Sequence, residues 1–310
     1  MMRPFVTIPA SAVVATRDRP AALKRALDSL GAQGILPLEL IVVDASTERD
    51  TRAVIDDWNA SYGAGMLVSY MRPTVIGAAA QRNQGVAVAT QPYIWFFDDD
   101  ILFEPECVAR LWRAIQADPG LGGVNAMIIN QSYRPPGRIS RFIFALLNGQ
   151  NEPTFAGRVL GPAVNLLPED RDELPEVVPT EWLNTGCAIY RRNALPDPPF
   201  DSIFTGYSMM EDVTLSVRVS KKWRLANART ARIFHDSQPG THKSNMGMLA
   251  EMELVNRHYV MTRVLERARW RDYARLFVWE AFQIFAGRGG WLTRLRGKLR
   301  ALRHLRQQSS

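Results

Sequence analysis

Short apolar runs alternate with amphipathic stretches along the first 130 residues. Residues 11–15 are small and apolar and predict a strand. Residues 16–20 form a loop, and Pro20 suits the first turn of a helix. Leu23, Ala26, Leu27 and Leu30 then recur at helical spacing until Gly31 or Gly34 stops the run. Residues 39–44 are rich in β-branched side chains and end in an acid, Asp44. Residues 50–59 predict a helix with Val54, Ile55 and Trp58 inward, and 66–70 a third strand. Gly77 opens an Ala-rich helix that runs to Ala89, followed by an aromatic strand at 93–97. Pro105 begins another helix with Val108, Leu111, Trp112 and Ile115 on one face, and 122–129 is again strand-like. Repeated strand–helix units predict an α/β fold, a mostly parallel central sheet flanked by helices with right-handed crossovers.

The second half reads less regularly. Residues 131–180 hold seven prolines among mixed charges and predict long loops. Residues 181–191 suggest a strand pair, 211–220 a helix and 224–228 a short strand. From residue 249 onward the spacing is helical. These patterns set expected boundaries: a body at 1–248, split into 1–130 and 131–248, and a helical C-terminal extension at 249–310.

The strand at 93–97 runs straight into three acids, Asp98, Asp99 and Asp100. Crowded carboxylates raise each other's pKa, so such a cluster calls for a cation. Mg²⁺ or Mn²⁺ is the natural choice, because hard cations take oxygen ligands and share them with substrate phosphates. An acidic loop facing water is the other reading. The carboxyl end of a buried strand, where open α/β sheets bind ligands, favours a site.

Composition narrows the class. Apolar content of 46% and charged content of 22% are ordinary for a globular chain. Cys107 and Cys187 make no disulfide framework and fit a reducing compartment. No signal peptide and no membrane-spanning run is expected, which predicts a cytoplasmic protein. The net charge of +7 is uneven: residues 251–310 carry 13 Lys and Arg against 5 Asp and Glu, leaving −1 for the rest. That asymmetry points to an anionic surface for the tail and excludes a nucleic-acid-binding body.

Taken together, residues 13–20, 41–46, 77–85 and 97–100, with Asn184-Thr185-Gly186-Cys187-Ala188 and 206–212, resemble the family 2 glycosyltransferases of the GT-A fold. Their order and spacing cover residues 8–240. The resemblance implies an inverting, metal-dependent hexosyl or deoxyhexosyl transfer from a nucleoside-diphosphate sugar. The acceptor would be a glycan, lipid-linked or small-molecule hydroxyl. Thr16, Arg17 and Arg19 would line the nucleotide pocket, Asp44 would accept from base or ribose, and Arg82 and Asn83 would contact the nucleotide. Asp98 and Asp100 match the outer positions of the DxD motif. In an extended chain those two would share a face, with Asp99, also on the donor side, turned from it. Asp100 would ligate the metal directly, Asp98 would hold it or the ribose, and His235 would be a third ligand. Asp212 is the implied base, with Glu211 as runner-up. His242 and Lys243 would reach phosphate from a closing loop.

No Gln-x-x-Arg-Trp motif follows the acidic segment, which argues against a processive synthase. A nucleotidyltransferase making nucleotide sugars is a rival, but the loop at 16–20 has no glycine. A non-catalytic binding protein of the same fold is a second rival. Residues 291–307 predict a basic amphipathic helix, with Leu292, Leu295, Leu299 and Leu302 at helical spacing. It suits anionic lipid on the inner face of the cytoplasmic membrane, or packing on protein, and Gly297 weakens it. A homo-oligomer stays open.

Overall fold

The computed structural model describes residues 5–63, 65–238, 245–286 and 290–307. The chain divides into two compact units, Met1–Ser132 with Pro168–Gln238, and Tyr133–Leu167 with Pro239–Ser310.

The strands in chain order are β1 (Val6–Thr16), β2 (Ile35–Asp44), β3 (Leu67–Met71), β4 (Tyr93–Phe97), β5 (Ile101–Phe103) and β6 (Leu121–Ile128). Two short strands of the second unit follow, β7 (Val159–Leu160) and β8 (Val164–Asn165). Then come β9 (Val177–Thr180), β10 (Cys187–Arg191) and β11 (Arg224–His235). In the first unit they build a sheet in the order β3-β2-β1-β4-β10-β6-β11-β5, with β9 beside β11. Strands β1 to β4 are parallel, as are β6 and β11. Strand β10 enters antiparallel between β4 and β6, and β5 and β9 run antiparallel to β11.

The register fixes what the sheet presents at its edge. Thr16 lies opposite Asp44 at the ends of β1 and β2. Phe97, the last residue of β4, lies opposite Cys187, and His235 at the end of β11 opposite Ile101. Carboxylates and their partners therefore gather at one end of the central strands, where open sheets bind ligands.

Strand β4 is central and fully buried from Ile94 to Phe97. Its alternating side chains serve both faces. Trp95 and Phe97 join the core with Leu23, Val42 and Leu111, while Phe96 packs edge-on against Phe200 at 5.3 Å. Helices α1 (Pro20–Gly31), α2 (Asp50–Tyr62), α3 (Ala78–Val88) and α4 (Cys107–Ala117) cover the sheet. Pro20 does stand in the first turn of α1.

The second unit holds α5 (Arg138–Asn148), while α6 (Glu211–Ser220) belongs to the first. The second unit continues with α7 (Met246–Tyr259), a π turn at Val260–Val264, α8 (Trp270–Ala286) and α9 (Trp291–Gln307). Phe144 of α5 meets Phe155 at 5.9 Å and Trp279 of α8 at 6.4 Å. Helix α9 crosses α7 so closely that a Cβ on Gly297 would stand 2.2 Å from the Gly247 carbonyl oxygen. The glycine that weakens the isolated helix is what lets it dock. Beside the crossing, Lys298 pairs with Glu253 at 3.2 Å and with Glu280, and Arg257 bridges the same acids at 2.7 and 3.3 Å.

Three expectations need correction. The 131–180 stretch is not loop throughout, since it contains α5 and short strands. Residues 181–191 give one strand, not a pair, because β10 finds its partners in β4 and β6. The strand from Arg224 runs on to His235, with register shifts that let one strand serve β6, β5 and β9. Apolar periodicity marks a strand but says nothing of its partner's direction.

Truncating Phe97 to Ala removes a fully buried ring from the middle of the sheet. It should lower unfolding free energy by about 3–5 kcal/mol, read from urea titration. Val88→Ala, on an exposed side of α3, should stay within about 0.5 kcal/mol.

Candidate active site

The aspartate triplet leaves β4 in a turn that leads to β5, and the turn decides where each carboxylate points. Thr16 Oγ1 donates to Asp99 Oδ2 at 2.6 Å. Arg19 Nη1 sits 3.3 Å from both Asp99 Oδ1 and Asp100 Oδ2. Asp98 faces another cation: Arg82 Nη2 donates to its Oδ1 at 2.7 Å. The expectation that Asp98 and Asp100 share a face with Asp99 turned away therefore fails. Alternation belongs to extended chain, and these residues are not extended. The Asp98 N–H donates to the Gly186 carbonyl at 3.1 Å, which sets the 184–188 segment beside the triplet.

Arg82 is the hub. Its Nη1 donates to Glu211 Oε1 at 3.0 Å, so one buried guanidinium joins Asp98 to the start of α6. The Phe200 ring lies 5.7 Å below it. Helix α3 is fixed to the segment preceding α6 by two bonds: Ala78 N–H to the Gly206 carbonyl at 3.2 Å, and Ala79 N–H to Ser208 Oγ at 3.3 Å. Gly77 there has φ 144°, a conformation that glycine adopts without penalty. Ser208 and Met210 also have positive φ, 56° and 74°, and such non-glycine backbone recurs where a loop must present functional groups.

Glu211 and Asp212 occupy the first turn of α6, where the positive end of the helix favours acids. Burial still dominates. It pushes Glu211 up to about 8, with the Asp212 charge adding to it and Arg82 opposing. Burial likewise pushes Asp212 up to about 6, against the Val213 N–H and Arg82. Asp212 Oδ1 accepts from Val213 N–H at 2.7 Å. No side chain among the described residues hydrogen-bonds to its carboxylate, although the Ser216 hydroxyl donates to its backbone carbonyl at 2.7 Å.

Asp100 has the opposite balance. Burial pushes it up, but the His235 hydrogen bond and charge, with Arg19, carry it below the ordinary carboxylate value. His235 Nε2 lies 3.2 Å from Asp100 Oδ1, and its Nδ1 is held at 2.8 Å by Gln131. The Gln131 atom at that distance is its amide nitrogen, which donates to Nδ1, so Nε2 carries the proton that is directed at Asp100. Among the described residues no group of three or more His, Cys, Asp and Glu side chains converges to hold a metal. Asp100 supplies a carboxylate held ionised, and the His235 ring beside it would join as a ligand once Nε2 gives up the proton it directs at Asp100. That set fits a Mg²⁺ or Mn²⁺ ion completed by water and substrate phosphate.

The remaining predicted residues divide. Asp44 is fully buried and accepts from Ser46 N–H at 2.8 Å, Tyr70 Oη at 3.0 Å and Arg72 at 3.4 Å. Arg17 is exposed and pairs with its neighbour Asp18 at 3.4 Å. Asn83 is turned away from the acids: its amide donates to the Phe200 carbonyl at 2.8 Å and accepts from the Phe200 N–H at 3.0 Å. Both ends of the amide bond backbone, which makes the side chain a clamp on the Phe200 segment. His242 and Lys243 lie outside the described residues. Sequence reasoning missed Gln131 and Gln81, whose amide donates to the Thr16 and Val43 carbonyls at 3.0 and 2.8 Å. Only its place one residue before Arg82 could have singled Gln81 out, and Gln131 carried no signal.

A family model described as glycosyl transferase family 2 matches residues 11–195. A search of curated proteins gives no match. Among solved structures, a mannosyltransferase from Pyrobaculum calidifontis, in complex with GDP-Man and Mn²⁺, aligns with TM-score 0.56 and 16% identity over 97% of this chain and 77% of that one. GalNAc-T7 with UDP, GalNAc and Mn²⁺ aligns with TM-score 0.59 and 15% identity over 95% of this chain and 54% of that one. Glucosyl-3-phosphoglycerate synthase from Mycobacterium tuberculosis, with Mn²⁺, UDP and phosphoglyceric acid, gives TM-score 0.50 and 17% identity over 80% of this chain and 78% of that one. At these identities the likeness shows the fold.

Replacing Arg82 by Met would strand Asp98 and Glu211 without their shared cation. Unfolding free energy should fall by about 3–5 kcal/mol in urea titration, the scale for breaking a buried pair. Arg82→Lys should recover only part, since an ammonium lacks the planar fork that serves both acids.

Proposed function

The chain belongs to glycosyl transferase family 2 and has the GT-A fold, and from that footing we propose that it is an inverting, divalent-metal-dependent transferase. It moves a hexosyl or deoxyhexosyl group from a nucleoside-diphosphate sugar to an acceptor hydroxyl, in cell-surface glycan or glycolipid synthesis. One observation carries the reading: a buried arginine joins the aspartate triplet to the paired acids of α6 within a single unit. The complexes of the fold neighbours with nucleotides and Mn²⁺ support it.

On this reading Asp100 and His235 hold the metal, with Asp98 beside them on the donor side. When bound, the cation supplies positive charge next to the departing diphosphate. Arg19 fixes Asp99 and Asp100, and Thr16 keeps Asp99 oriented. The Asp212 carboxylate takes the proton of the acceptor hydroxyl while that oxygen bonds to the anomeric carbon. The bond to the diphosphate breaks on the opposite face, so configuration inverts and no carboxylate nucleophile is needed. Glu211 is the second candidate for the base, but Arg82 already occupies one of its oxygens.

Asp212→Asn should leave nucleoside-diphosphate binding intact by calorimetry while transfer falls at least about 100-fold. Unchanged transfer would remove Asp212 from the role. Asp100→Ala should instead weaken the metal-dependent part of that binding.

A pH profile gives a separate check. A base raised to about 6 is ionised above that pH and protonated below it. The wild-type kcat/KM should therefore fall as pH drops through about 6, well above the range of an ordinary aspartate.

A further inference from the structure

The second unit exposes a face that water does not favour. On α8 the buried side is Leu276, Trp279, Glu280 and Ile284. The opposite side presents Trp270 (83% exposed), Tyr273, Phe277 (73%) and Phe285 (74%), with the small Ala281 between the last two. These positions recur at three, four and eight residues, a single stripe of the helix. Its two acids, Asp272 and Glu280, are both buried.

The stripe does not stop at the end of α8. Phe285 stacks with Trp291, the first residue of α9, at 6.4 Å. Helix α9 buries Gly297, Lys298 and Ala301, so its outward side carries Leu292, Leu299 and Leu302. It contains no acidic residue. Helix α5 packs on the other, buried side of α8 through Phe144 and Trp279, so its own exposed residues are not part of the stripe. Exposed arginines stand among the groups of the stripe: Arg271 on α8, Arg296 and Arg303 on α9.

We propose that this face, led by the aromatic stripe of α8, docks on an anionic lipid bilayer. Charge selects the occupant. Residues 133–167 and 239–310 hold 18 Lys and Arg against 6 Asp and Glu, a net of +12, which leaves −5 for the other unit. A second copy would set +12 against +12, whereas an anionic surface neutralises it. No helix of the described residues is long and apolar enough to cross a membrane. The face therefore lies in the interface, with Trp, Tyr and Phe at headgroup depth and arginines on the phosphates. This enlarges the surface expected from residues 291–307: α9 is not a free amphipathic helix, and α8 supplies the aromatic groups. The proposal is independent of the transfer reading.

Flotation of the full chain with vesicles tests it. Binding to phosphatidylcholine mixed with phosphatidylglycerol should exceed binding to phosphatidylcholine alone by at least about tenfold, and should weaken as salt rises. The double variant Phe277→Asp/Phe285→Asp, changed only at exposed positions, should lose at least about tenfold while its melting curve is kept. Arg296→Glu/Arg303→Glu should lose most of the preference for the anionic vesicles. Equal flotation with both vesicle types, or an unaffected aromatic double variant, would overturn the proposal. So would a lipid-free dimer in sedimentation that Phe277→Asp dissociates, since the stripe would then be a contact between copies.

Discussion

Carboxylates brought together at the end of a buried sheet repel, and they stay together only while a cation is held among them. Arg82 is that cation. It is buried, it touches Asp98 and Glu211 at once, and it comes from a helix that must be held close to the strands. Gly85 permits the approach, since a Cβ there would lie 2.4 Å from Val13 Cγ1. The residues on either side of Arg82 complete the arrangement. Gln81 is tied to the carbonyls of Thr16 and Val43, and Asn83 to the backbone of Phe200. Three consecutive side chains thus bind the strand ends, the acids and the returning chain, and the rigidity of the site follows from α3 being fixed on three sides.

Much of this could be read from the chain, because the informative signals are local. Apolar periodicity marks β1, β2, β4 and the helices between them, and the acids at 98–100 and 211–212 stand at the ends of such runs. Partnerships between distant residues were not legible. Nothing in 181–191 says that β10 inserts antiparallel between β4 and β6. Nothing in 133–167 says that it groups with the C-terminal helices. The geometry of the triplet is hidden for the same reason: strand alternation ends where the turn into β5 takes over, and the sequence does not mark that point. Asn83 sits beside Arg82 in the motif, yet its amide meets backbone while the guanidinium meets the acids. Only the position of Phe200 decides between those roles.

The uneven charge of the sequence becomes a division between units. The acid-rich unit carries the candidate site, where Asp98, Asp99, Asp100 and Glu211 face Arg19, Arg82 and His235. The basic unit holds a quartet of charges, the half-buried Glu253 and the buried Glu280, Arg257 and Lys298, where each cation meets both acids. Such a quartet adds little net stability over apolar packing, but it ties α7, α8 and α9 to one another through charge as well as through apolar contact. These ties keep the arginines of α9 outward and its glycine against α7. The basic exterior of that unit is therefore a consequence of how its helices are locked.

The two acids of α6 differ in a way that fits a division of roles. Both are raised by burial, but Glu211 is raised above neutrality and Asp212 is not. Arg82, 3.0 Å from Glu211 Oε1, opposes that rise, and the two neighbouring carboxyls compete for one proton. The Asp212 carboxylate has no side-chain donor among the described residues. Adjacent acids whose environments push their proton affinities apart are how one short segment provides both a neutral hydrogen-bonding group and a base. The proposed base role falls to Asp212 on geometry, since one oxygen of Glu211 is already held by Arg82 while the Asp212 carboxylate is held only by the Val213 N–H among the described residues.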